Sequence, residues 1–143
     1  MQDATAPALE QVIYISSATS LMSDDDLSLL LRHARKNNRY LNLTGMLLYC
    51  EGSFMQVLEG YKDSLDMLFA KILRDPRHRN CQILFRNSIE TRLFEDWYMG
   101  FKSVSHQQFE DLPGYVDFFG DCPIPDRGAA ALELLSSFRS YNR

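Results

Sequence analysis

The chain lacks the loops and pairs that announce the common chemistries. It has no GxGxxG or GxxxxGK[ST] run to cradle a phosphate, no HExxH to hold zinc and no GxSxG to present a nucleophile. Its three cysteines, Cys50, Cys81 and Cys122, are widely spaced and include no CxxC pair. They fit reduced thiols in a cytoplasmic protein better than a disulfide frame or a zinc site, so no metal is expected. No apolar run approaches the roughly 20 residues of a membrane span, and residues 1–11 lack the basic start and apolar centre of a signal peptide. A formal net charge of −4 gives no general attraction to nucleic acid or to an anionic membrane. Internal repeats, low-complexity tracts and a second domain are also absent.

What remains is a chain of 143 residues, 45% hydrophobic and 12% aromatic, enough for one packed domain. Residues 12–16 (VIYIS) read as a central strand, with Val12, Tyr14 and Ser16 on one face and Ile13 and Ile15 on the other. Ser23, with Asp26 three residues on, starts a helix whose stripe is Leu27, Leu30, Leu31 and Ala34. Arg32, Arg35 and Lys36 load its C-terminal end, and Asn37-Asn38 is expected to end it near Arg39. Apolar runs at 46–49 and 54–58 flank Glu51-Gly52-Ser53 and form a hairpin. Asp63 is the expected N-cap of a second helix carrying Leu65, Leu68, Phe69 and Ile72 to about Arg74.

A polar turn at 75–78 (DPRH) leads to a fourth strand at 81–85, and a fifth is expected at 97–104 with Trp97, Met99 and Phe101 on one face. Residues 107–112 and a last helix at 126–141, striped by Ala131, Leu132, Leu135 and Phe138, are left to cover the remaining sheet face. The fold class is therefore α+β: a ferredoxin-like βαββαββ order, one mixed five-stranded sheet, two helices on one face and C-terminal helices on the other. The expected organisation is a flexible tail at 1–11, a domain at 12–105 and a helical extension at 106–143.

One residue does not suit this plan. Gln56 shares a strand face with Phe54 and Leu58, which sets an amide among large apolar side chains. Leaving a buried donor or acceptor unpaired costs about 1–3 kcal/mol. Either Gln56 serves a backbone irregularity, or that face of the strand is not closed. Tyr14, in a central strand, is commonly core with its hydroxyl bonded to a neighbour.

Taken in order, several motifs resemble the BLUF family, blue-light sensors that use flavin, in its short single-domain form. They are Tyr14 in VIYIS, Asn37-Asn38, LTGMLLY leading into FMQVLEG with Gln56, DPRH at 75–78 and FEDWYM at 94–99. The resemblance runs from about residue 12 to 105. It implies a flavin ring inserted between the two helices, FAD in the cell with FMN or riboflavin able to substitute. It implies that Asn38 bonds the flavin N3–H and C4=O edge, that Asn37 stands beside the ring, and that Arg77 and His78 lie on its pyrimidine side. Lys71 and Asp75 match positions near the ring or its polar chain. It further implies that light draws an electron and a proton from Tyr14 by way of Gln56. The amide is then left rearranged, by rotation or tautomerisation, with a stronger bond to flavin C4=O.

Trp97 and Met99, expected on one face near Gln56, are candidates for relaying that change. With no effector domain in view, the signal is expected to act through self-association or a separate partner protein, without substrate turnover. Two other readings stay open. One is a small acyl-phosphate hydrolase on the same scaffold, disfavoured because no arginine and asparagine anion cradle stands on a first turn. The other is a cofactor-free regulatory or metabolite-binding domain, since fold alone does not decide function.

Overall fold

Alternating apolar residues in five segments build one twisted sheet, and two amphipathic helices return across it. The computed structural model describes residues 8–76, 78–95, 97–112 and 127–137. In chain order the elements are β1 (Leu9–Ala18), α1 (Asp24–Leu41), β2 (Thr44–Cys50), β3 (Ser53–Tyr61), α2 (Lys62–Arg74), β4 (His78–Ser88), β5 (Gly100–Val104), α3 (His106–Glu110) and α4 (Arg127–Ser136). The strand order is β4-β1-β3-β2-β5, antiparallel except for the parallel pair β2 and β5. This is the expected ferredoxin-like sheet with one added edge strand. Among the described residues no helix is long and apolar enough to cross a membrane.

Period-two alternation divides the core as the sequence leads one to expect. Val12, Tyr14, Phe54 and Leu58 face α1 and α2, together with Leu27, Leu31, Leu65 and Leu68 from those helices. Ile13, Ile15, Met55 and Val57 face the other way, where Phe109 of α3 and Ala131, Leu134 and Leu135 of α4 cover them. Both faces are thus covered, and the C-terminal helices do the work assigned to them. The rest of the expected last helix, Phe138 included, lies outside the described residues.

Several boundaries differ from expectation, each for a local reason. β1 begins at Leu9, inside the expected tail, because Leu9 pairs with Tyr61, and Glu10 pairs with both Gly60 and Ser88. The same pairing extends β4 well beyond 81–85 in both directions. α1 begins as expected, with a reciprocal capping box between Ser23 and Asp26. It does not stop at Asn37-Asn38 but runs on to Leu41. Asn42 takes the left-handed conformation that ends it (φ 56°), its N–H reaching the Arg39 and Asn38 carbonyls. α2 starts after Tyr61 with no side-chain cap, so Asp63 acts within the first turn, through the helix dipole. The hairpin turn is the two residues Glu51 and Gly52, both at positive φ (43° and 96°), and Ser53 already belongs to β3.

The largest departure concerns the fifth strand. It starts at Gly100, so Trp97 and Met99 precede it and do not share a face. Trp97 enters the core under α3 and α4, whereas Met99 enters the core under α1 and α2. Gly100 is the residue this crossing needs: a Cβ there would lie 2.1 Å from the Trp97 ring. The start of the crossing is anchored by Glu59, which is fully buried on β3. Its carboxylate accepts from Gln11 Nε2 (2.7 Å), the Leu93 N–H (3.0 Å) and the Phe94 N–H (2.7 Å). The Gly45 N–H then holds the Trp97 carbonyl at 2.7 Å.

Candidate functional site

The stripes of α1 and α2 do not close fully on the sheet. Leu30 and Ala34 of α1 and Leu68 and Ile72 of α2 wall a cleft of about 710 Å³, open mouth included. Its floor is Tyr14 and Ser16 of β1, Leu47 of β2, and Phe54 and Gln56 of β3; its remaining lining is His33, Asn37, Lys71 and Asp75. An apolar slot with a few convergent polar groups is the usual form of a small-molecule site.

The polar groups on the floor follow from strand register. Tyr14 is directly opposite Gln56, which is in turn opposite Leu47. Tyr14 Oη donates to Gln56 Oε1, and Gln56 Nε2 donates to Met99 Sδ at 3.4 Å. The tyrosine ring is set by an edge contact to Phe69, with centroids 5.4 Å apart at 85°. Burial, reinforced by Cys81 and then Asp75, pushes the phenol far above its ordinary range. Tyr14 is therefore a neutral hydroxyl at any physiological pH. Gln56 is thus not a structural filler for an irregular backbone: its oxygen is used by a phenol and its nitrogen by a thioether, a weak acceptor.

Asn38 completes the arrangement from α1. It is fully buried; its Nδ2 donates to the Tyr98 carbonyl at 2.5 Å, and its Oδ1 has no hydrogen-bond partner among the described residues. Arg35 Nε donates to the next carbonyl, that of Met99, at 3.0 Å. The segment that brings Met99 to Gln56 is therefore held by two side chains of α1.

The structure brings Tyr14, Gln56, Asn37, Lys71 and Asp75 to one cleft, with Met99 against Gln56; Asn38 is not among the lining residues and bonds the Tyr98 carbonyl next to Met99. Trp97 is not part of it; its ring packs on Phe94 on the other sheet face, centroids 5.7 Å apart. Arg77 and the side chain of His78 lie outside the described residues. His33, Leu47, Phe54 and Arg35 were not singled out from the sequence as site residues. Periodicity could have found His33, because Leu30, His33, Ala34 and Asn37 share one face of α1. Arg35 carried no such signal, since its partner is a backbone carbonyl distant in sequence.

Comparison with known proteins gives this cleft a context. The family model described as "BLUF: Sensors of blue-light using FAD" matches residues 9–100. Photoactivated adenylate cyclase subunit beta of Euglena longa is 43% identical over 110 residues, which are 76% of this chain but 13% of that protein. Among solved structures, the dark state of BlrB, a BLUF protein, superposes with a TM-score of 0.77 at 28% identity, covering 92% of this chain and 97% of BlrB. Klebsiella pneumoniae BlrP1 with FMN and cyclic diGMP superposes with a TM-score of 0.62 at 36% identity, covering 66% of this chain and 26% of that one. A cofactor-free metabolite-binding domain is not favoured by these similarities.

Proposed function

The chain belongs to the BLUF family of blue-light sensors that use flavin, and from that premise we propose that its flavin occupies the cleft between α1 and α2. FAD is the cellular form in this reading, with FMN or riboflavin able to replace it. The donor set suits such a ring. The walls are apolar, and among the described residues the buried Asn38 Oδ1 lacks a donor of the kind that a ring N–H supplies. Asn38 would take the N3–H and C4=O edge and Asn37 would stand beside the ring. Lys71 and Asp75 would serve its edge or polar chain, and Arg77 and His78 its pyrimidine side.

Flavin excited by blue light supplies a strong one-electron oxidant. Tyr14 is the electron source, and its hydroxyl proton moves along the existing bond to Gln56 Oε1. Because burial holds that proton on the neutral phenol, it does not leave ahead of the electron. Once the electron and proton have returned to Tyr14, Gln56 is left rearranged, by rotation or tautomerisation, and gives up little in doing so, since among the described residues its nitrogen holds only the Met99 sulfur. Exchanging one such hydrogen bond for another is a change of about 1 kcal/mol, enough to bias a neighbouring element between two arrangements.

The observation that carries this reading is the buried Tyr14–Gln56–Met99 chain on the cleft floor. Output would leave through Met99 and β5 toward the extension at 106–143, and act by altered association with a second copy or a separate effector in the cytoplasm. The chain itself would turn over no substrate. The Euglena relative is a cyclase subunit, which supports an effector-coupled output of some kind. The test is direct. Purified protein should release one flavin per chain on extraction and show a small red shift that reverses in the dark. Failure to contain flavin or to take it up on reconstitution defeats the proposal.

A further inference from the structure

Away from the cleft, a group of ligand-type side chains gathers where the β2–β3 turn meets the start of α3. Cys50 closes β2, Glu51 begins the turn and His106 opens α3. One candidate ligand atom from each lies within 4.8 Å of the other two: a sulfur, a carboxylate oxygen and an imidazole nitrogen. Strand pairing brings them together. β2 and β5 run parallel with Cys50 opposite Val104, so the two strand ends emerge side by side and His106 follows almost at once.

Two further contacts shape the group. The His106 backbone N–H donates to Glu51 Oε2 at 3.1 Å, which holds that carboxylate beside the imidazole. His106 Nε2 lies 3.0 Å from Glu110 Oε1, one helical turn on. A carboxylate on one ring nitrogen is the usual outer support of a metal-binding histidine, and it leaves Nδ1 for the ion.

We propose that Cys50, Glu51 and His106 bind one zinc-class divalent cation, with Glu110 positioning the imidazole. A set of one sulfur, one nitrogen and one oxygen suits Zn²⁺ or Co²⁺; Ca²⁺ and Mg²⁺ take oxygen ligands. Tetrahedral bonds of about 2.0–2.3 Å put ligand atoms about 3.5 Å apart, so the group has to tighten slightly. Cys50 is buried, whereas Glu51 and His106 are exposed, so the tightening falls to their side chains. Binding displaces the Cys50 thiol proton to solvent, because the thiolate is the ligand. The fourth position is open to water. An ion here would staple the hairpin turn to the junction after β5, the strand that follows Met99.

The experiment uses the full chain, with Co²⁺ as probe and Zn²⁺ as competitor, in flavin-bound and flavin-free samples alike. The expected result is one Co²⁺ per chain, a thiolate-to-cobalt absorption band, tetrahedral bands to the red of flavin absorption, and displacement by Zn²⁺. Cys50→Ser should abolish the thiolate band, and His106→Gln should weaken binding more than tenfold. Glu110→Gln should weaken it by about 10–100-fold. Cys81→Ser and Cys122→Ser should change nothing. His106 is 66% exposed, so its variant tests the site even if the buried cysteine variant folds poorly. Absence of binding, a cobalt spectrum without thiolate character, or undiminished affinity in His106→Gln overturns the proposal. Because the readout does not involve light, it fails or succeeds independently of the photochemical reading.

Discussion

The two faces of the sheet each bury polar side chains from β3, and they treat them differently. Toward α3 and α4, the Glu59 carboxylate receives three donors, two of them backbone N–H groups, and anchors the chain as it leaves β4. Toward α1 and α2, Gln56 has one strong partner in Tyr14 and one weak partner in a sulfur. Asn38, on the same side, has no partner for its oxygen among the described residues. Fully satisfied buried groups hold one arrangement firmly, whereas partly satisfied ones can be re-paired at little cost. On the proposed reading, one face of the sheet stays as it is, and the other accepts a partner and is rearranged.

The sharpest way to break this contrast is to remove the cleft-side pair. Tyr14→Phe keeps the ring and its edge contact to Phe69 but deletes the hydroxyl. Gln56→Leu deletes both amide functions. Each should retain flavin and fold, at a cost of about 1–3 kcal/mol for the buried partner left unpaired, while losing the whole light-induced red shift. Difference spectra under blue light decide the matter, and a normal shift in either variant refutes the relay.

On the other face the effect should be on stability alone. Glu59→Ala strands three donors that now share a buried carboxylate. At about 1–3 kcal/mol for each unsatisfied group, and with water answering some of them, the expected loss is about 3 kcal/mol. Denaturant midpoints measure it, and the red shift of the folded fraction should be unchanged. A variant as stable as wild type would show that Glu59 is not the anchor described.

The pH dependence separates the faces more finely. The Tyr14 phenol is raised above the ordinary 10.0 by burial, so above that pH the unfolded chain gives up a proton that the folded chain keeps. Folding stability is then fully present below pH 10.0 and falls as pH rises beyond it. The slope is about 1.4 kcal/mol per unit for this one group. Subtracting the alkaline unfolding profile of Tyr14→Phe from that of wild type isolates it; equal profiles would mean that Tyr14 is not buried as a neutral phenol.

Where the sequence was legible, short-range periodicity decided the outcome. The alternating faces of β1 and β3 put Tyr14 and Gln56 on the cleft side because the pairing of these two strands is unbroken through those residues. Asn37-Asn38 resembled a helix end, yet nothing local distinguishes that pair from Asn42, which takes the left-handed cap. Trp97 and Met99 misled for a deeper reason. Two residues apart in a strand share a face, but residues 97–99 are held by tertiary bonds from Gly45, Asn38 and Arg35 to successive carbonyls. No pattern within the segment records those bonds. The Cys50, Glu51 and His106 group escaped similarly, since strand pairing, not spacing, assembles it.

That crossing is also where the two faces meet, which gives the smallest and most telling test. Met99 touches Gln56 with its sulfur on one side of the sheet, while Trp97, two residues earlier, packs with Phe94 on the other. Between them the Tyr98 carbonyl is held by Asn38, whose oxygen has no partner among the described residues. In the proposed step, turning Gln56 would take the donor from the Met99 sulfur. Among the described residues, the Tyr98 and Met99 carbonyls would still be held by Asn38 and Arg35 from α1. A packed segment in that position switches between arrangements more readily than it bends, and β5 with α3 would follow it. The coupling should be about 1 kcal/mol, at the low end of the allosteric range. Met99→Ala removes the sulfur and leaves Tyr14 and Gln56 in place. It should therefore keep most of the red shift while abolishing light-dependent hydrogen exchange in β5 and α3. Wild-type protein with identical exchange in dark and light throughout these elements would show that the crossing carries no signal. Persistence of the light effect in Met99→Ala would move the route away from the sulfur and onto the carbonyls held by α1.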